Sequence, residues 1–121
     1  MFKRRARIVF LDPGDGAEAR QACAETARQG GAWVEPAAAA LQPAAGEAVA
    51  AWTEVAAADW DLVVAVDAAG DADWATLLPG WRVKVWDLGD CPDPAAEIPR
   101  RVAGLLGGFR MKAREDAADG E

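Results

Sequence analysis

The chain has 121 residues, 52% of them apolar and 27% charged, with 13 Lys and Arg against 20 Asp and Glu and a formal net charge of −7. This length suits one domain, and this composition excludes wholesale disorder. The net acidity argues against nucleic-acid binding, which depends on neutralising phosphates, and the absence of histidine beside only two cysteines argues against a metal centre such as a zinc site.

The first quarter of the chain predicts a buried strand and a helix. Residues 8–11 form a continuous apolar run that ends at an Asp-Pro-Gly turn, which is typical of a strand buried on both faces. Small apolar residues then recur at helical spacing until Gly30-Gly31 ends the helix. Cys23 falls on the apolar face of this helix, so we interpret it as a small buried hydrophobe rather than a reactive thiol.

The middle of the chain predicts a thinner strand and a second helix. Residues 32–35 are interpreted as a short strand, which Pro36 and an alanine-rich loop close. The second helix is predicted over residues 44–58, because apolar residues recur at every third position from Val49.

The second half of the chain repeats the alternation. Residues 61–67 predict a second strongly apolar strand, a short helix follows at residues 73–78, and the alternation at residues 82–86 is typical of an edge strand. The last helix presents its large apolar residues on one face, namely Ile98, Val102, Leu105, Leu106 and Phe109. Residues 110–121 lack apolar periodicity, so we predict one domain over residues 1–109 and a flexible C-terminal tail.

Four strand–helix repetitions predict an α/β fold, a three-layer αβα sandwich with a four-stranded parallel sheet. The first and third strands are the most apolar and are expected at the centre. The thinner second and fourth strands are expected at the edges, which gives the strand order 2-1-3-4.

Several segments, in this order and spacing, resemble the low-molecular-weight protein tyrosine phosphatases and the related thioredoxin-coupled arsenate reductases. Residues 8–11 with their turn and helix are similar to the phosphate loop of the family, and residues 61–66 to its third strand. Residues 78–94 resemble the segment that leads into its Asp-Pro loop, and residues 97–106 resemble its last helix. The resemblance covers residues 7–106 and implies a phosphotyrosine phosphatase I-like fold.

The resemblance also implies a catalytic loop whose essential residues are missing here. The loop of the family begins with a nucleophilic cysteine and carries an arginine after five intervening residues, whereas the matching positions are Asp12 and Glu18. Arg20 is a poor substitute, because two further residues turn a side chain by ~200° around a helix. Of the catalytic residues that the resemblance implies, only the aspartate of the Asp-Pro loop, Asp93, is retained.

These losses predict a catalytically inactive pseudoenzyme that acts as a binding or regulatory module and has no cofactor. Phosphoryl transfer through cysteine needs a thiolate and a guanidinium at one place, and carboxylates there repel a dianion. The alternative is an active phosphatase or arsenate reductase with atypical site residues. The candidate ligand-binding residues are Asp12, Gly14, Asp15, Gly16, Glu18 and Asp93.

Two rescues of catalysis are disfavoured. Asp12 as a phosphoryl acceptor with Mg²⁺ requires a second carboxylate at Asp-x-Asp spacing, and Asp15 lies one residue too far along the chain. Cys91 lies beside the Asp-Pro loop, but a thiol relay needs a first nucleophile, so we interpret Cys91 as an ordinary loop thiol.

Seven acidic residues are predicted at the carboxyl ends of the strands, where ligands bind in open parallel sheets. They are Asp12, Asp15, Glu18, Asp67, Asp87, Asp90 and Asp93. The first interpretation is that these acids cap turns and helices. The second is an acidic mouth that accepts a cation or a basic peptide from a protein partner.

The six tryptophans carry two open interpretations as well. Most of them are expected to fill the core, since alanine supplies little volume. An exposed pair instead marks a binding face or a homodimer contact, and a structural subunit that assembles through such edges is the third possible function.

A cytoplasmic protein without membrane contact is expected. The longest dense apolar run, residues 62–66, is far shorter than the ~20 residues that cross a bilayer. The apolar run at residues 8–11 is shorter than a secretory core of ~7–15 residues.

Overall fold

The computed structural model describes residues 6–30, 34–42 and 49–119, with side chains through residue 108. The elements are β1 (Ala6–Asp12), α1 (Ala17–Gly30), β2 (Val34–Ala40), β3 (Ala50–Ala51), α2 (Trp52–Val55), β4 (Leu62–Asp67), α3 (Trp74–Leu77), β5 (Lys84–Asp87) and α4 (Pro94–Asp119). The strands form one parallel sheet in the order β3-β2-β1-β4-β5. The predicted α/β class with a parallel sheet is confirmed, but the prediction of four strands is wrong, because β3 adds a fifth strand outside β2.

Strand β1 divides the core into two layers because its side chains alternate between the two faces of the sheet. Ile8 and Phe10 pack in a cluster with the apolar faces of α1 and α4. Val9 and Leu11 pack in a second cluster with residues of α2 and α3. All four side chains are completely buried. Helices therefore cover both faces of the sheet.

Strand β2 is longer than predicted and includes Pro36 and the alanine run that were expected to form a loop. Its register on β1 runs from Ala6 opposite Val34 to Asp12 opposite Ala40. Strand β3 pairs only with Ala39 and Ala40. Among the described residues, Pro36 thus lies where β2 has no outer neighbour, so its missing N–H is tolerated. Pairing with a buried strand outweighs the low strand propensity of alanine.

The second predicted helix is also wrong over most of its described part, residues 49–58. Residues 43–48 lie outside the described part of the chain. Within that part, residues 50–51 are extended in β3, and α2 is a single turn that ends at Val55. Ala51 stands at the N-cap position and provides no side-chain hydrogen bond to the first turn. The spacing that suggested a helix instead buries Trp52 against the sheet.

The later elements lie where the sequence predicts them, but the bounds of β5 and α4 differ from the prediction. Helix α3 begins after Asp73, whose side chain accepts the N–H of Thr76. Strand β5 begins at Lys84 rather than at residue 82. Helix α4 begins with Pro94 and extends through the segment predicted to be a tail. The flexibility of that segment and the domain boundary at residue 109 remain predictions.

A polar contact between α1 and α4 compensates for a proline inside α4. Pro99 has no N–H to donate to the carbonyl of Ala95, one turn earlier. The side-chain amide of Gln21 donates to that carbonyl instead, at 2.8 Å. The Gln21 amide thus replaces the N–H that Pro99 lacks, so a proline is tolerated inside the helix that packs most extensively on α1.

Among the residues that the structure describes, no helix combines the length and the apolar character needed to cross a membrane.

Candidate functional site at the turn after the first strand

The carboxylate of Asp12 closes the turn between β1 and α1. Asp12 is only 4% exposed. The N–H of Gly14 donates to its Oδ1 at 2.7 Å, and the N–H of Glu18 donates to its Oδ2 at 3.1 Å. The first of these bonds makes an Asx turn, and the second satisfies an N–H in the first turn of α1. A side-chain anion therefore lies where the start of a helix attracts one.

Gly16 determines the shape of this turn. Its φ is +100°, in the region that favours glycine. A Cβ at this position would lie 2.7 Å from a methyl group of Val49 and 3.1 Å from the Cβ of Ala40. The carbonyl of Gly16 then accepts the N–H of Arg20 and begins α1. Asp15 accepts the N–H of Ala17 at 3.1 Å.

The end of β2 holds the turn in place. The N–H of Leu41 donates to the carbonyl of Asp12, and the N–H of Gln42 donates to the carbonyl of Gly14, both at 3.0 Å. The side chain of Gln42 also donates to the carbonyl of Pro13 at 3.3 Å. The turn is thus anchored by main-chain bonds in addition to the Asp12 carboxylate.

Three carboxyl groups meet at this turn, those of Asp12, Asp15 and Glu18. One oxygen from each lies within 4.8 Å of the other two. A hydrogen bond to Asp12 raises the pKa of Glu18, and burial and the charges of Asp12 and Asp15 raise it further. Oxygen ligands at such distances suit a proton or a hard divalent cation. They repel a phosphate or arsenate dianion.

Asp67 ends β4 and is engaged in its own turn. It is 2% exposed, and its carboxylate accepts the N–H of Gly70 at 2.8 Å and the N–H of Ala72 at 3.1 Å. The indole Nε1–H of Trp74 donates a third bond at 3.3 Å. Asp67 is therefore not presented at the rim of the sheet.

The remaining predicted acids are exposed. Asp87 accepts the N–H of Gly89 at 3.0 Å, and Asp93 accepts the N–H of Ala96 at 3.3 Å at the start of α4. Asp90 is exposed as well. The seven acids thus do not form one cluster: only three share the turn after β1. Most of the others make the caps that the first interpretation expects.

The remaining residues that were considered for catalysis do not belong to the three-carboxyl cluster. Asp93 is an N-cap of α4 and does not belong to the three-carboxyl cluster. Cys23 and Cys91 are free, half-buried thiols packed against the core. Burial raises the pKa of the Cys23 thiol, which suppresses the reactive thiolate. Arg20 lies on an exposed part of α1.

The tryptophans mainly fill the core. Trp52, Trp74 and Trp86 are buried, and Trp60 is half-buried beneath the guanidinium of Arg7. Trp81 is 41% exposed, and its ring meets the ring of Trp52 edge-on at 5.1 Å. Trp33 lies outside the described residues. An exposed tryptophan pair is not present among the described ones.

The hydrogen bond that the carboxylate of Asp12 accepts from Gly14 agrees with the first interpretation of the acidic residues, which is that they cap turns. The signal was present, since Asp-Pro-Gly is a typical Asx-turn sequence. The bond to Glu18 was not visible in the sequence, because it depends on how the turn enters α1.

Comparison with known proteins supports the fold. No protein-family model and no curated protein matches this sequence. A solved structure described as an arsenate reductase in the phosphate binding state matches with a TM-score of 0.63 and 17% identity. The match covers 85% of this chain and 98% of that chain. The chain therefore has an arsenate-reductase-like α/β fold, and at this identity the likeness extends to the fold alone.

Proposed function

We propose that this chain has neither phosphatase nor arsenate reductase activity and acts as a binding or regulatory module built on that fold. The observation that carries the proposal is the carboxylate of Asp12, which accepts the N–H groups of Gly14 and Glu18. Main-chain N–H groups at the start of a helix are the donors that hold a phosphate in an anion-binding turn. Here a tethered anion already takes two of them.

Electrostatic repulsion also disfavours the binding of a phosphate at this turn. Glu18 stands at the position where the resemblance implies a phosphate-binding arginine, and its carboxyl lies beside those of Asp12 and Asp15. Two unit charges ~4 Å apart interact by ~4 kcal/mol at an effective dielectric constant of ~20. Replacing a cation by an anion therefore converts an attraction of that size into a repulsion. The hydrogen bond to Asp12 and burial raise the pKa of Glu18, and the negative charges of Asp12 and Asp15 raise it further.

The nucleophile is missing from the turn as well. Residues 12–18 contain no cysteine. Cys23 lies within α1 and Cys91 lies between β5 and α4, and both pack against the core. A carboxylate that already accepts two hydrogen bonds is a weak nucleophile.

The proposal is tested by restoring the missing groups. We expect the wild-type protein to hydrolyse p-nitrophenyl phosphate no faster than Asp93→Ala, and its melting temperature to be unchanged by millimolar phosphate or arsenate. The double variant Asp12→Ser with Glu18→Arg removes the tethered anion and supplies a guanidinium, so phosphate should raise its melting temperature.

A matched control places the same substitution types at exposed positions away from the turn, Asp71→Ser with Glu54→Arg. This control should gain no response to phosphate, which separates the turn from the change in net charge. Turnover by the wild type above that of Asp93→Ala, or stabilisation of the wild type by phosphate, would contradict the proposal and favour the active-enzyme alternative.

As part of the same proposal, the acidic turn is the surface that receives a positively charged group of a partner. Titration with Mg²⁺, Ca²⁺ and an arginine-rich peptide should raise the melting temperature with at least one of them. The variant Asp15→Asn with Glu18→Gln should lose that response. No response at millimolar concentration from any of the three ligands would remove this part of the proposal and leave the lack of catalysis standing.

A further inference from the structure

A groove of about 540 Å³ lies between β5 and α4, and it involves none of the residues of the Asp12 turn. One wall is β5, with Lys84 and Val85. The other wall is the exposed part of α4 around Arg100, Arg101 and Gly104.

The strand wall of the groove is a free edge of the sheet. β5 pairs with β4 and is the outermost strand on that side among the described residues. Val85 is 42% exposed, although it is flanked in the strand by the buried Trp86. A sheet edge with open N–H and C=O groups can accept a further strand.

The groove is positively charged on a chain of net charge −7. Arg100 and Arg101 share one carboxylate, that of Glu97, at 3.8 Å and 3.2 Å. Lys84 adds a third cation and forms no ion pair among the residues that the structure describes. Three cations against one carboxylate leave an excess of positive charge, which is complementary to acidic side chains.

The helix wall of the groove is open rather than packed. Gly104 and Gly108 lie one turn apart on α4, and a Cβ built at either would meet no atom of the described residues within 4 Å. Glycine inside a helix weakens it relative to alanine. Packing among the residues that the structure describes gives no reason for either glycine, but both leave room for a main chain to approach the helix closely.

We propose that this groove binds an extended acidic segment of a partner protein, which pairs with β5 as an added strand. Its main chain bonds to the open edge of β5, and the side chains that it directs toward α4 place carboxylates at Lys84 and Arg100 and an apolar group over Leu105. A polynucleotide fits less well, because Glu97 offsets one of the three cations and the protein as a whole is acidic.

The test is fluorescence anisotropy of the full chain with a labelled peptide in which threonine alternates with glutamate and valine in turn, as Thr-Glu-Thr-Val repeated, so that glutamate and valine lie on one face of the strand. Binding is expected, and it should weaken when the salt concentration rises from about 0.05 M to about 0.5 M, because the charged contacts are exposed. N-methylation of every second residue of the peptide should abolish binding, since it removes the main-chain donors that pair with β5. An undetectable affinity for the unmodified peptide, equal affinity for the methylated one, or tighter binding of an oligodeoxythymidine of equal length would overturn the proposal.

Two variants locate the binding to the groove. Lys84→Glu with Arg100→Glu should weaken the affinity by about tenfold. Arg28→Glu, an exposed charge reversal on α1 outside this groove, should leave the affinity within about twofold. Gly104→Leu fills the space at the helix wall and replaces a poor helix former, so it should raise the melting temperature and abolish peptide binding. A stable Gly104→Leu protein that binds as well as the wild type would refute the placement.

Discussion

Two buried aspartates end neighbouring strands of this sheet, and each carboxylate closes the turn that follows. Asp67 at the end of β4 receives two main-chain N–H groups and an indole N–H, so donors surround it. Asp12 at the end of β1 receives two main-chain N–H groups, but its other neighbour is the carboxyl of Glu18. The carboxylate of Asp67 thus meets three hydrogen-bond donors, whereas the carboxylate of Asp12 meets two donors and a second carboxyl group.

This difference distinguishes Asp67, whose role is structural, from Asp12, which belongs to the candidate functional site. A buried carboxylate with three donors needs no explanation beyond stability. An acid–acid contact costs stability, and sites where a sequence departs from local consistency tend to be functional or strained. The turn after β1 is therefore the region to which the proposed function is assigned, and the turn after β4 serves as its internal reference.

The largest expected effect is at the reference turn. Asp67→Ala leaves two main-chain N–H groups and a buried indole N–H without their acceptor, so we expect the free energy of unfolding to fall by about 3 kcal/mol. Chemical denaturation measures this loss. Asp71→Ala, at an exposed position in the same loop, should change it by less than about 0.5 kcal/mol.

A smaller loss is expected at the Asp12 turn. Asp12→Ala also leaves two N–H groups unpaired, but it relieves Glu18 of a negative neighbour, so the net loss should be about 1–2 kcal/mol in the same assay. If Asp12→Ala lowers the free energy of unfolding as much as Asp67→Ala does, the contrast between the two turns is wrong. The contact between Asp12 and Glu18 would then not destabilise the folded protein.

The two turns were not equally predictable from the sequence. The central apolar strands, α1 and α4 followed directly from apolar runs and helical spacing. The strand β2 did not, because its alanines and Pro36 acquire strand structure only through pairing with β1. Both aspartates were expected at the strand ends. The third hydrogen bond of Asp67 depends on Trp74, a residue seven positions away whose rotamer no local pattern specifies.

Removing the indole donor of Trp74 should leave Asp67 with two main-chain donors, the same number that Asp12 has. Trp74→Phe keeps an aromatic ring in the core but deletes the Nε1–H that donates to Asp67, so we expect a loss of about 1 kcal/mol. The double variant with Asp67→Ala should lose less than the sum of the two single losses, because the two residues share one interaction. Additive losses would mean that the indole bond contributes nothing.

The smallest effect, and the one with a distinctive pH dependence, is expected for Glu18→Gln. Because the folded state raises the pKa of Glu18, the folded protein binds a proton more tightly than the unfolded chain, and Glu18 contributes stability that is present below its ordinary pKa of 4.5 and is lost as the pH rises through the raised value. Glutamine keeps a donor toward Asp12 without the charge. At neutral pH the variant should be more stable than the wild type by about 0.5–1 kcal/mol, and the difference should disappear as the pH falls below 4.5.

Glu54→Gln, at an exposed position in α2, provides the matched control and should give no such pH-dependent difference. A constant difference between Glu18→Gln and the wild type at all pH values would mean that the two carboxyl groups do not share a proton, and the contrast between the two turns would lose its electrostatic basis.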